Sequence, residues 1–144
     1  MARARISGGA RRRVSPKAPL TGSTRRRTEQ DYRVAFVMAA NQEQSEAIAR
    51  ALVGERLAAC VNIVGPVRSV YRWRDAIKDE SEYMLIIKTR TRLFTKLERL
   101  VRELHSYEVP EIITVPISAG SKPYLEWLQE TTAPITASAA RPRV

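Results

Sequence analysis

The chain has 144 residues, 44% of them hydrophobic, which suits one packed domain plus a tail. No apolar run approaches the ~20 residues that would span a bilayer, so no membrane-crossing helix is expected. The net charge of +10 looks like a nucleic-acid signature, but its position argues otherwise: residues 1–28 hold nine basic side chains and no acid, and the remaining 16 basic and 15 acidic residues leave 29–144 near +1.

Residues 1–30 are rich in Arg, Ser, Thr, Gly and Pro. They cannot bury enough apolar surface to offset the entropy of ordering, so they read as a disordered basic leader. The same composition fits either an organellar import signal or a solvated tail that touches acidic surfaces and RNA without specificity. Cys60 is the only cysteine and no secretory apolar core precedes it, so the expected location is the cytoplasm, or an organelle if the leader is an import signal.

A domain is expected over 31–132, with a loose tail over 133–144. Tyr32 to Ala40 reads as a buried strand. Asn41, with Gln44 three positions on, resembles a capping box opening a helix that ends near Gly54. Leu57 to Val64 is the second strand; Gly65-Pro66 interrupts it as a bulge or bend, and Val67 to Trp73 continues extended. Arg74 to Asp79 makes the turn into a third strand, Glu82 to Thr89. Thr91 is placed to cap a helix whose stripe is Leu93, Leu97, Leu100 and Leu104, with Phe94 and Val101 beside it. Ile112 to Ile117 is the fourth strand, and Ser121 and Pro123 open a short last helix.

This β-α-β-β-α-β order plus a terminal helix is an α+β arrangement, the ferredoxin-like split βαβ, with strand order 4-1-3-2. Pro116 agrees with it, since the fourth strand is an edge, where a missing N–H is tolerated. Two helices cover only one face of such a sheet, yet Tyr83 to Ile87 is apolar at odd and even positions alike. Either the last helix or another subunit hides the second face, and the long second and third strands favour a homo-oligomer.

The densest polar chemistry lies between His105 and Glu111, on a short connection between a helix and a strand, where function concentrates. His105, Glu111 and Cys60 offer an imidazole, a carboxylate and a thiolate, donors that suit copper or zinc. No recognised ligand spacing joins them, and four-coordination would need water or a neighbouring subunit. Structural roles compete at each position: Cys60 as a small buried hydrophobe, His105 as a cap on the preceding helix carbonyls, Glu111 as a solvated acid, Tyr107 as a core phenol, and Trp73 as an interface residue. Lys88, near the end of the third strand, could face an anion. No hydrolase triad, P-loop, dinucleotide fingerprint or RNP pattern is present, so neither catalysis nor specific nucleic-acid binding is expected.

Glu55-Arg56-Leu57-Ala58-Ala59-Cys60-Val61-Asn62, Tyr71-Arg72-Trp73, Met84 to Thr89, His105 to Ile112 and Pro123-Tyr124-Leu125-Glu126-Trp127 occur in the order and spacing of the CutA divalent-cation tolerance proteins, and the chain resembles that family over about residues 33–131. The resemblance implies a ferredoxin-like subunit in a tight homotrimer, a link to tolerance of copper(II) and other divalent cations, and an architecture similar to PII-type signalling trimers. Two functional readings follow. In one, the trimer binds metal through His105 and Glu111, with Cys60 as a soft third ligand. In the other, clefts between subunits near Tyr107, Lys88 and Trp73 take a small anion or a protein partner. Two departures from the family pattern stand out. Ser106 replaces a proline after the histidine. Arg74-Asp75-Ala76 replaces an acidic-Gly-Lys turn, so a rebuilt hairpin tip is expected.

Overall fold

The computed structural model describes residues 31–135; the leader expected over 1–30 and most of the expected tail lie outside them. Strand β1 is Tyr32–Ala39, helix α1 Gln42–Gly54, β2 Cys60–Trp73, β3 Ala76–Arg90, α2 Phe94–Leu104, β4 Ile112–Pro116 and α3 Lys122–Thr131. The four strands form one antiparallel sheet in the order β2-β3-β1-β4, the expected order read from the other edge. Among the described residues no helix is long and apolar enough to cross a membrane.

Local chemistry accounts for most of the boundaries. Asn41 caps α1, its side chain accepting from the Gln44 N–H at 2.8 Å, while the Gln44 side chain reaches back one residue further than in a capping box, to the Ala40 N–H at 3.2 Å. α1 ends at Gly54, yet the left-handed residue beyond it is Arg56, at φ 57°. Thr91 does not cap α2 as expected. It starts a 3-10 turn, Thr91–Leu93, and its hydroxyl accepts from Arg33 Nε at 3.2 Å, so it ties the end of β3 to β1. β3 starts six residues earlier than expected, because only Arg74 and Asp75 make the hairpin turn. Both have positive φ, 47° and 64°. The tip thus keeps the left-handed turn that suits a two-residue hairpin without the glycine that usually eases it.

The core lies between one sheet face and helices α1 and α2. Ala35, Val37, Leu85 and Ile87 are fully buried against Ile48, Leu52, Leu97 and Val101. The alternate positions Val34, Phe36, Met38, Met84 and Ile86 point to the opposite face and are only partly covered. Helix α3 roofs one corner of that face, burying Leu128 with Tyr32 and Ala59. The rest of it carries exposed Ile113 and Val115 from the edge strand.

Candidate functional site: an acidic, aromatic cleft under the hairpin

The expected interruption at Gly65-Pro66 is a β-bulge. Val64 pairs with Met84 and Val67 with Glu82, so β2 advances three residues while β3 advances two. One extra residue exchanges the faces of everything beyond it. Val67, Ser69, Tyr71 and Trp73 are thereby turned onto the open face with Met38 and Met84, rather than Arg68, Val70 and Arg72. Gly65 permits this geometry, since a Cβ there would sit 2.3 Å from the Tyr83 ring.

The protruding hairpin and the 105–111 loop then enclose a cleft of about 810 Å³. Tyr71, Trp73 and Tyr107 supply its aromatic walls, and Glu80, Glu82, Glu108 and Glu111 its carboxylates. Arg74 closes one side: it lies 5.5 Å from the centre of the Trp73 ring and pairs with Glu108 at 3.0 Å. Tyr71 donates to Glu80 at 2.6 Å, and that hydrogen bond pushes its phenol up to about 12. Burial, then the charge of Glu82 and the hydrogen bond to it, push Tyr107 up to about 12 as well. Both phenols stay neutral at ordinary pH and act as donors to carboxylates. Glu82 itself is 5% exposed, and among the described residues no basic side chain pairs with it.

His105 holds the loop in place. Its Nε2–H donates to the Met38 carbonyl of β1 at 2.6 Å, and its Nδ1 accepts from the Tyr107 N–H at 3.1 Å. The imidazole also lies 4.9 Å from the Tyr107 ring. The residue does end α2, its own N–H bonding to the Val101 carbonyl, but the ring binds a strand rather than the helix carbonyls, the structural role that competed with a ligand role in the sequence.

Within one chain, then, Tyr107, Glu111 and Trp73 meet in the cleft with His105 behind them, whereas Cys60 and Lys88 lie elsewhere. Cys60 pairs with Lys88, which pairs with Val34, four residues of β1 from Met38, or roughly 13 Å along the sheet. Cys60 is half-buried rather than a core residue. Lys88 Nζ lies 3.8 Å from its sulfur and bonds the Asn62 side chain, and Tyr124 of α3 lies close enough for Cys60 to help raise its phenol, after burial. Both imidazole nitrogens are engaged, and among the described residues no three His, Cys, Asp or Glu side chains are placed to hold a metal ion. The donors of one chain therefore do not fit a copper or zinc centre. Glu80 and Glu82 were missed from sequence because β3 was expected to begin only at Glu82, and no hydrophobic alternation marks its solvated start; the bulge decides which β2 residues join them on that face.

Comparison with known proteins gives the same picture for the whole domain. The profile of the CutA1 divalent ion tolerance protein family matches residues 33–131. The chain is 46% identical over 99 residues to the divalent-cation tolerance protein CutA of Thermus thermophilus, covering 69% of this chain and 96% of that one. The solved Thermus structure superimposes with a TM-score of 0.70, covering 71% of this chain and 99% of that one. This chain is also 46% identical over 99 residues to a CutA protein of Arabidopsis thaliana described as chloroplastic, covering 69% of this chain but only 54% of that protein's length. A periplasmic CutA from Archaeoglobus fulgidus superimposes with a TM-score of 0.69 at 36% identity, covering 71% of this chain and 99% of that one. These relatives correct the expectation of a cytoplasmic protein: similar domains are described from a chloroplast and a periplasm, so a single cysteine and an apolar-poor leader do not specify the compartment. The alignment, the shared sheet and the motifs read from the sequence agree, and the chain belongs to the CutA1 divalent ion tolerance protein family.

Proposed function

We propose that the chain assembles as a homotrimer of ferredoxin-like subunits and serves divalent-cation tolerance by binding rather than by catalysis. The observation that carries this reading is the open sheet face. Val34, Phe36, Met84, Ile86, Ile113 and Val115 form a continuous apolar strip that α3 leaves uncovered, and such strips mark interaction surfaces. A threefold assembly hides it and brings the hairpin of each subunit beside its neighbours. A binding role is supported by the polar groups in the cleft: the imidazole has both nitrogens committed, and both phenols are held neutral, so none of them is a ready general base.

Copper(II) is the first cation to test. Because one chain does not bring Cys60 to His105 and Glu111, no copper centre is assigned to a single subunit, and a bound ion would draw donors from more than one. Sedimentation of the full-length protein, followed by titration with copper and zinc, tests both halves. A three-chain mass with saturable metal uptake, weakened in Glu111→Gln, is expected. A monomer that takes up no metal removes the proposal. Within one chain the cleft under the hairpin does not favour an anion, since four carboxylates face it against two basic side chains, Arg74 and Lys78; an anion or protein partner in the clefts between subunits is the second reading.

A further inference from the structure

We propose that the outer side of α2 and the basic leader form one surface that binds the phosphate backbone of nucleic acid without reading its sequence. This surface goes beyond the tolerance reading and needs no metal. It lies on the helix side of the sheet, opposite the apolar strip, so self-association through that strip leaves it open.

Three observations carry it. First, Arg92, Lys96 and Arg99 recur at the i, i+4, i+7 spacing that lines side chains along one side of a helix, and all three are exposed. Leu93, Leu97 and Val101 are buried on the opposite side. Among the described residues none of the three cations has an acidic partner, and Glu98, which lies between them in sequence, is taken by Arg102 at 3.1 Å. No side chain caps the turn that opens α2, and its first turn carries no acid. The positive end of the helix dipole therefore adds to the charge of Arg92.

Second, the leader joins the fold at this end. Tyr32 pairs with Arg90, and Arg33 donates to the Thr91 hydroxyl at 3.2 Å, which sets the start of β1 beside Arg92. Arg25, Arg26 and Arg27 precede Tyr32 by five to seven residues, a chain span of at most roughly 25 Å. Glu29 and Asp31 are the only acids before Arg33, against nine basic residues.

Third, charge is segregated along the helix layer. β1 runs from Tyr32 toward the Asn41 cap of α1, and α2 ends where His105 bonds the Met38 carbonyl. The remaining acids of the two helices, Glu43, Glu46 and Glu103, therefore lie at the far end, beside the acidic cleft. A polyanion is drawn to one end of the subunit and repelled from the other.

The residue types choose the partner. Eight of the nine leader cations are Arg, whose fork meets a phosphate through two N–H donors. An anionic membrane would attract the same charge, but firm attachment adds buried apolar surface. Residues 1–28 offer only Met1, Ile6, Val14 and Leu20 as large apolar side chains, and no aromatic one. Phosphate contacts position a protein on nucleic acid and carry no sequence information, which fits a chain without a base-reading motif.

Anisotropy titration of a labelled short DNA duplex with the full-length protein tests the proposal, with phosphatidylglycerol vesicles in parallel. Binding that weakens at least about 10³-fold between about 50 and 200 mM salt is expected, as six or more phosphate contacts require, and scrambling the duplex sequence should leave it unchanged. The triple variant Arg92→Gln, Lys96→Gln, Arg99→Gln should flatten the slope of log affinity against log salt by about 2.7, and so should Arg11→Gln, Arg12→Gln, Arg13→Gln. Both variants should keep the wild-type oligomer mass, which separates lost binding from lost folding. No salt-dependent duplex binding overturns the inference. So does binding untouched by the α2 variant, which would make the leader a tail acting alone. Tighter binding to the vesicles than to the duplex overturns it in favour of a membrane surface. Duplex binding without metal uptake supports this inference and counts against the tolerance reading.

Discussion

The two faces of the same sheet are built from nearly the same residues and end up in different environments. On β3, Leu85 and Ile87 are fully buried beneath α1 and α2, while their neighbours Met84 and Ile86 look out from the other side, partly covered. β1 repeats the pattern, with Ala35 and Val37 inside and Val34 and Phe36 on the open face. Equal hydrophobicity on both faces of a central strand therefore means two different things: on one side a core completed within the chain, on the other a surface that awaits a partner.

Mutations on the two faces should separate these meanings. Leu85→Ala removes a fully buried side chain and is expected to cost about 2–5 kcal/mol in denaturant unfolding. Ile86→Glu, one residue away, should leave the subunit folded by circular dichroism but abolish self-association in sedimentation. If Ile86→Glu unfolds the chain as badly as a core substitution, the second face is a core after all. If it leaves the oligomer intact, the trimer is built elsewhere.

The bulge offers a sharper test, because it decides which hairpin residues belong to the open face. Gly65→Ala would push a methyl group into the Tyr83 ring, and a loss of about 1–3 kcal/mol is expected. Wild-type stability in Gly65→Ala would show that the ring moves freely and that the bulge does not depend on the glycine.

The electrostatics of the cleft predict an alkaline effect. Tyr71 and Tyr107 have folded values of about 12 against an ordinary 10.0, so the proton is held more tightly in the native state. Their contribution is fully present below about pH 10 and is lost as pH rises toward 12. Tyr71 is exposed and Tyr107 only half-buried, so solvent screening keeps the stability change small. In an absorbance titration of phenolate, Tyr71 and Tyr107 should ionise last, Tyr124 should also ionise late, and Glu80→Gln should return Tyr71 toward its ordinary value. The smallest effect is expected at the hairpin tip, where Asp75→Gly relieves a positive φ of 64° and should stabilise the protein by roughly 0.5–1 kcal/mol in thermal unfolding.

Much of the fold is legible in the sequence. The Asn41 cap, the strand order and the edge position of Pro116 follow from local periodicity and from the backbone's need for hydrogen bonds; of the expected stripe Leu93, Leu97, Leu100 and Leu104, the first two are buried, but Val101 completes the buried face and Leu104 is exposed. The extent of β3 was not legible, because Ala76 to Ser81 is polar and solvated on a hairpin that leaves the globule, so no hydrophobic alternation marks it. The candidate site was half legible. His105, Tyr107 and Glu111 are near one another in sequence and remain so in space. Cys60 matched them in ligand chemistry but sits at the far end of the open face.

The sequence by itself determined the elements, the strand order and the family, because these depend on periodicity and on motifs carried within short stretches of chain. Only the tertiary structure decided what the polar residues do. A single inserted residue at the bulge sets the face of the β2 half of the hairpin tip, and long-range packing sets the partners of His105. Neither the register of two strands nor the carbonyl an imidazole will find, 67 residues away, is encoded in the spacing of the residues themselves.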